Sequence, residues 1–560
     1  MKRNGKVLRA AAGIFLSAVL VLSACGTSAG TSQSSPEESG APENTGTESD
    51  TQTAAGMVKE NAMPITTEDI TLEIYCGFAG GARQVYNSMA DMDLVKQMME
   101  ETGINLKFVH PPEADDGTYF TTMIASGEYP DIISNEFTSY PGGPTAAMDD
   151  GVLLDATDLI NEHAYYYNKL LDTLDPEVRT RSISDDGRIV RFGTVFLCDY
   201  LDGIAHGGFI VRKDLLDKAG ITELPETIEE YETMFDAFKE QGVTPWSLAM
   251  TQWQFINYSP VANAFGLTYR GTHLEDGKVI YSRTSPKYKD FLEVMKRWYD
   301  KGYFSSDALT QLTPESQKTF QAGNAGAILS GSWEIITLES VGQANDPELK
   351  VVGLPYPRVK KGDTVNTMNA ILENPETRCG FISAKCEHPV EAVRFVDYLY
   401  KPETMKMTAW GVNTDEATLW TEDANGKRQW TDFISDNPDF DYEIGRQRYT
   451  ANALQGMWDA DMEKLQYDIP QVQQAWGEWK GNTSKDALLP QYITQTTEES
   501  REISDLKTAL ETYGDEMAMG FITGQVPLEQ FDEFTAQLKA IGSDRICELY
   551  QAAYDRYLAR

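Results

Sequence analysis

The sequence predicts an α/β protein with more than one core and a helix-rich end. Three observations carry that prediction. From residue 70 onward, strand-like alternation of apolar residues gives way repeatedly to helical spacing, the pattern of a layered sheet with parallel strands and loops gathered at one edge. The body from about Met63 to Arg560 is about 500 residues long, enough for two or more domain-sized cores. From about residue 440 the pattern is mostly helical, through "SREISDLKTALETYGDEMAMGFITG" and "LEQFDEFTAQLKAIGSDRICELYQAAYDRYLA".

Taken in order, "ITLEIYCGFAGG" (70–81) alternates Ile70, Leu72 and Ile74 and ends in glycines, a strand running into a loop. "MADMDLVKQMMEETG" then places Met89, Met92, Val95 and Met99 at helical spacing and stops at Gly103. "INLKFVHPP" reads as a second strand, and "YFTTMIASGEYPDIIS" as helix, glycine stop, turn and short strand. The clearest helix is "PETIEEYETMFDAFKEQG" (225–242): Thr227 and Glu230 form a capping box, and Ile228, Tyr231, Phe235 and Phe238 share a face. "PVEAVRFVDYLYKPETMKM" supplies another helix with Val393, Val396, Leu399 and Tyr400 on its buried side.

The N-terminus is read differently. Lys2, Arg3, Lys6 and Arg9 precede an apolar run, Ala10 to Leu22, shorter than the roughly 18–20 residues of a membrane-spanning helix. Leu22-Ser23-Ala24-Cys25 resembles a bacterial lipobox, which implies lipidation of Cys25 after removal of residues 1–24. Residues 25–62 are then a lipid-bearing Cys and a polar tether with too few apolar side chains to offset the entropy of ordering. Such a tether favours a Gram-positive envelope, with the body on the extracellular face of the membrane.

Composition excludes several classes. The sequence carries 48 basic and 86 acidic residues, a net charge of −38, and loss of the signal cations takes it to about −42. That balance repels nucleic acid and anionic lipid, leaving the lipid anchor as the expected membrane contact. Cys76, Cys198, Cys379, Cys386 and Cys547 are too few for a disulfide-built domain, and extended chain between Cys379 and Cys386 sets that pair too far apart to bridge. Neither a C-x-x-C pair nor H-E-x-x-H occurs, so no metal or other cofactor is expected. Asp185–Asp186 lies in a glycine turn and Glu229–Glu230 in a helix first turn, where carboxylates need no catalytic explanation. "SDNPDFDYE" (435–443) is read as a solvated acidic loop, with calcium as the alternative.

Six segments, in order, resemble one family: "ETGINLKFV", "ASGEYPDII", "DDGRIVRFGTVF", "FIVRKDLLDKAGITELPETIEEY", "FQAGNAGAILSGSWEI" and "GFISAKCEHPVEAVRFVDYLYKPETM". The family is that of extracellular solute-binding lipoproteins of bacterial ABC importers, in the large branch associated with carbohydrate uptake. "VRFGTVFLCD" departs from the Tyr-Gly-Leu-Pro usual in that family, and the helical C-terminus is hard to align with smaller relatives. The resemblance implies a two-lobe periplasmic-binding-protein-like fold with hinge strands and a helix-rich C-terminal region. Lobe I is expected over 66–209 plus 375–412, and lobe II over 210–374 plus 413–560 with the C-terminal helices. Ligand binding would close the lobes, and a permease would recognise the closed, monomeric protein without any bond being broken.

Ligands of such sheets sit beyond the carboxyl ends of strands, and a sugar needs flat aromatics for its C–H faces and polar groups for its hydroxyls. The resemblance singles out Trp333, after "AILSGS", as a stacking ring. Trp253 in "AMTQWQF" is next, followed by Ser134, Asn135 and Glu136 after the "PDII" strand. Phe78 and Arg83 follow the first strand, Asp199 and Tyr200 follow "TVFLC", and Trp410, ahead of Gly411, either lines the lobe I side or packs in the core, the commoner use of such a ring. Trp476 and Trp479 are expected to pack against lobe II. An oligosaccharide is the expected ligand, with a peptide or other small solute on the same fold as one alternative. A cell-surface glycoside hydrolase, needing paired carboxylates about 5–10 Å apart, is the other.

Overall fold

The computed structural model describes residues 59–559 except 113–115, 136, 138, 198–205, 367–375, 379, 441, 459–464, 466–468, 482 and 491–492. The first sheet is built on β1 (Ile70–Tyr75), which pairs in parallel with β2 (Ile104–Val109) and β3 (Ile132–Ser134). The register Ile70↔Ile104 and Leu72↔Leu106 sends Ile70, Leu72 and Ile74 to one face, where they are buried with Val95, Met98, Phe395 and Tyr400. Tyr75, Ile133 and Phe137 form a smaller core on the other side. The loop after β1 enters α1 (Gly80–Arg83), and α2 (Gly143–Asp149) follows the third strand.

The helix expected from Met89 begins later, at Asp93. Ser88 caps a separate short turn reciprocally with Asp91, and Met92 is extended, so the helix buries Leu94, Val95 and Met98. It stops at Gly103 as expected. That residue has φ of 73°, and a Cβ there would lie 2.2 Å from the Thr66 carbonyl oxygen, so only glycine fits.

The second sheet contains β4 (Gly207–Arg212), β5 (Thr244–Ser247), β6 (Ala325–Gly331) and β7 (Val351–Gly353), in the order β7-β4-β6-β5. Every residue of β4 and β6 is buried, because helices cover both faces of this sheet. On one face lies α3 (Ile228–Glu240), whose Thr227–Glu230 capping box is present and whose Ile228, Tyr231, Phe235 and Phe238 are buried. The short α4 (Trp253–Tyr258) stands at the carboxyl end of the sheet. The chain returns to the first sheet through β8 (Gly380–Ile382), antiparallel to β3. Between the two sheets run the antiparallel strands Thr194–Val195 and Glu376–Thr377.

After β8 comes α5 (Tyr442–Tyr449), which packs on α1: Gln447 Oε1 accepts from Gly81 N at 2.8 Å. Ala451, Leu454 and Met457 lie in the first core, so this stretch, expected with lobe II, packs with the first sheet instead. The reason is local: its apolar residues face the "VDYLY" helix end, and Gly456 lies against Leu399. Next, α6 (Pro470–Lys480) buries Trp476 and Trp479 on the second sheet, with the Trp479 indole over Gly208.

The long α7 (Thr497–Thr523) and α8 (Ser543–Leu558) join the second core through Leu510, Phe521, Ile546 and Leu549. Gly514 of α7 is fixed by a buried charge, since a Cβ there would sit 2.0 Å from Nη1 of Arg283. Arg283 is fully buried, pairs with Asp515 and donates from Nε to the Tyr269 carbonyl at 3.1 Å. Toward the first sheet the same helices use polar contacts. Thr497 donates to Asp149 (2.7 Å), Arg501 to Asp150 (2.7 Å) and Arg556 to Asp185 (2.6 Å). Cys76, Cys386 and Cys547 carry free thiols, while Cys198, Cys379 and the anchor position Cys25 lie outside the described residues.

Candidate ligand-binding crevice

At the carboxyl end of β6 the chain turns sharply and exposes Trp333. Gly331 allows this, because a Cβ there would lie 2.5 Å from the indole. Trp333 is 42% exposed and Trp253, the first residue of α4, 53% exposed. Their ring centroids are 6.4 Å apart at 45°, and Trp253 is braced edge-on by Tyr258 at 5.1 Å. An edge of His206 approaches Trp333 at 6.1 Å. Among the described residues its buried Nδ1 has no partner, and burial lowers its pKa to about 4, so the ring is neutral. The next residue, Glu334, is held above the usual carboxylate range by burial and then by the charge of Glu443 on α5. The two carboxylates come from opposite sides, one following the second sheet and one packed with the first.

Beside this platform runs a crevice formed by two cavities of about 590 and 560 Å³ that share Lys507, Glu511 and Tyr550. Each falls in the range of small-molecule sites. One reaches the first sheet's side at Tyr140, Gly142 and Arg191, and the other ends at Trp253, Arg270 and Tyr281. Its floor on α7 is a stripe at helical spacing, Ser500, Ile503, Ser504, Lys507, Thr508 and Glu511. Hydroxyls therefore line much of its length. Tyr281 borders the second cavity but is 3% exposed, and among the described residues its buried Oη has no hydrogen-bond partner. Arg270 is oriented by Asp515, to which Nε donates at 3.0 Å.

Among the described site residues singled out from the sequence, Trp253 lines this crevice, and Trp333 lies beside Trp253 outside the lining of either cavity. Phe78 is buried, stacked on His110 at 4.5 Å, with the Arg83 guanidinium 5.3 Å from its ring centre. Arg83 itself ties the loop together, donating to the carbonyls of Phe78 (2.8 Å) and Pro111 (2.5 Å). Ser134 faces a separate void of about 30 Å³ near Phe192 and Tyr400, and Asn135 caps its own turn by accepting from Phe137 N at 2.7 Å. Of the two uses open to Trp410, a place lining the lobe I side and core packing, the structure shows the second: it is 1% exposed and packs at 4.6 Å on Trp430, because its helix ends inside the first half and turns at Gly411. Glu136, Asp199 and Tyr200 lie outside the described residues. The sequence reading missed Arg191, Arg270, Tyr281, Lys507 and Tyr550, which come together only when α7 and α8 fold back. The small-polar stripe on α7 was the available signal, and from sequence it is indistinguishable from a solvated face.

The family model described as bacterial extracellular solute-binding protein matches residues 86–406, and the chain belongs to that family. Lipoprotein LipO of Bacillus subtilis (strain 168) is 23% identical over 334 residues, 57% of this chain and 62% of LipO, so the chain spans less than two thirds of that relative. Two crystal structures share the fold. The alginate-binding protein AlgQ2 without calcium ion has a TM-score of 0.72 and 20% identity, over 89% of this chain and 100% of AlgQ2. The Streptococcus pneumoniae ABC-transporter substrate-binding protein FusA, an EF-hand mutant in complex with fructo-nystose, has a TM-score of 0.69 and 17% identity over 87% of this chain and 99% of FusA. The architecture is thus that of the two-lobe solute-binding proteins, whose family and fold neighbours are binding proteins rather than enzymes.

Proposed function

We propose that this chain is the lipid-anchored substrate-binding protein of an ABC importer, and that it captures an oligosaccharide in the crevice between its two halves without breaking a bond. The observation that carries this reading is the exposed pair Trp253–Trp333, of which Trp253 lines a crevice rich in hydroxyls and Trp333 stands next to it. Indole faces match the apolar C–H faces of sugar rings, and Ser504 and Thr508 offer partners to the hydroxyls around them. Lobe I comprises 66–209 plus the returning segment from 375, extended to about 457 by the packing of α5, and lobe II comprises the remainder of the body. A ligand touching both halves favours the closed form, which the permease engages. Cys25 is the anchor, in keeping with the lipobox-like sequence and the similarity to a protein named as a lipoprotein.

Isothermal titration of the purified body against oligosaccharides and against peptides tests the reading. Micromolar or tighter binding of a saccharide, with no change in its mass after prolonged incubation, is expected. Binding of peptides alone, or turnover of a glycan, would overturn it.

A further inference from the structure

Helix α7 carries two carboxylates one turn apart, Glu511 and Asp515, and their surroundings differ. Asp515 lines neither cavity and is fully engaged: Arg270 donates to it from Nε at 3.0 Å and also from Nη2, and Arg283 donates from its own Nη2. Glu511 lines both cavities, and its side chain is 25% exposed. Cations flank it without touching it. Nη1 of Arg270 stands 3.8 Å from Oε2, and Nζ of Lys507 4.0 Å from Oε1. Both separations exceed a direct hydrogen bond, so among the described residues neither oxygen of Glu511 accepts one and Nη1 of Arg270 donates none.

Gaps of this size are closed by a third oxygen. One placed about 2.8 Å from each partner fits between them, accepting from the cation and donating to the carboxylate. A hydroxyl can do both, whereas an ether, carbonyl or carboxylate oxygen only accepts and an ammonium only donates. The donor is fixed in advance, because Asp515 holds the guanidinium fork of Arg270 by its other two nitrogens. Trp253, Arg270 and Glu511 line the same cavity of about 560 Å³, which puts the stacking ring and the hydroxyl reader in one subsite. On the saccharide reading above, we infer that Glu511 sets the specificity of that subsite: two adjacent hydroxyls of one sugar ring donate to its two oxygens and accept from Arg270 Nη1 and Lys507 Nζ. The two oxygens of a carboxylate lie side by side, as adjacent hydroxyls on a ring do, and hydrogen bonds to a charged acceptor are among the stronger polar interactions.

The test titrates the folded body with gluco-, galacto-, manno-, xylo- and uronate oligosaccharides, then with analogues of the tightest binder in which one hydroxyl at a time is replaced by hydrogen. Glu511→Gln keeps the size of the side chain and removes no hydrogen bond among the described residues. It is expected to weaken binding about 10–100-fold with circular dichroism and thermal midpoint unchanged, and the exposed Lys507→Met to weaken it about 3–10-fold. Coupling is the decisive readout: analogues lacking either of two adjacent hydroxyls should lose about tenfold or more against the wild type, yet stay within about threefold of the parent sugar against Glu511→Gln. Binding by Glu511→Gln within about threefold of the wild type, or a deoxy penalty equal in the two proteins at every position, overturns the inference while the saccharide reading stands. If no saccharide binds the wild type, the saccharide reading fails and this inference with it.

Discussion

Two pairs of tryptophans show how one residue type serves two ends in this molecule. Trp410 meets Trp430 at 4.6 Å with Trp410 fully buried, while Trp253 and Trp333 meet at 6.4 Å with both rings about half exposed. Burying an indole is favourable by roughly 25 cal/mol for each Å² of apolar area removed from water. The first pair realises that gain on folding, and the second leaves much of it to a ligand. Trp246, Trp298 and Trp479 are also fully buried, which makes the exposure of Trp253 and Trp333 the informative departure.

Substitutions can break this contrast. Trp410→Ala should cost about 3–5 kcal/mol of stability in urea unfolding, because it opens a cavity among packed rings, whereas Trp333→Ala should cost less than about 1 kcal/mol. A loss from Trp333→Ala as large as that from Trp410→Ala would mean that the exposed ring is structural. Next in size, Trp333→Ala and Trp253→Ala should each weaken saccharide binding about 10–100-fold in isothermal titration. Trp410→Phe should leave that affinity within about threefold, provided the variant is folded.

A buried carboxyl group sharpens the same contrast. Asp397 is 1% exposed and accepts from Tyr167 N at 2.9 Å, at the start of the helix Tyr165–Leu171. Burial raises its pKa to about 7, against 3.8 for an unperturbed group. The folded state therefore holds a proton that the unfolded chain has lost between about pH 4 and pH 7, so stability falls as pH rises through that window and levels off above it. Relative to Asp397→Asn, the wild type should lose on the order of 2 kcal/mol between about pH 5 and pH 8 in urea unfolding. An unchanged difference across that range would contradict the assignment. The smallest effect belongs to the exposed pair Arg501–Asp150, which ties α7 to α2. Arg501→Ala should change stability by less than about 1 kcal/mol.

What the sequence revealed and what it hid follow the same physical line. The Thr227–Glu230 cap, the alternation of Ile70, Leu72 and Ile74 and the stop at Gly103 are decided by neighbours a few residues away, and each is present. The position of Trp333 at the carboxyl end of a buried strand was legible for a similar reason. Arg270 and Lys507 are more than 200 residues apart in the chain, and their meeting depends on how α7 lies against the second core. For Trp410 the sequence left lining and packing both open, because "TAWGVNT" carries no sign of Trp430, which closes over it from the next hairpin. The packing of 442–457 was hidden likewise, since Leu454 and Met457 are as apolar as any residue of the second core and only their partners reveal which core they join.

The central claim is that the exposed indoles are the saccharide platform, and acrylamide quenching of tryptophan fluorescence tests it most directly. Quenching of the free protein should come mainly from Trp253 and Trp333, so that a saturating oligosaccharide lowers it and the Trp253→Ala/Trp333→Ala double variant, left with the partly exposed Trp420, Trp430 and Trp458, is quenched less and shows no change with the sugar. Saccharide binding verified by titration, with quenching of the wild type left as it was, would contradict the account.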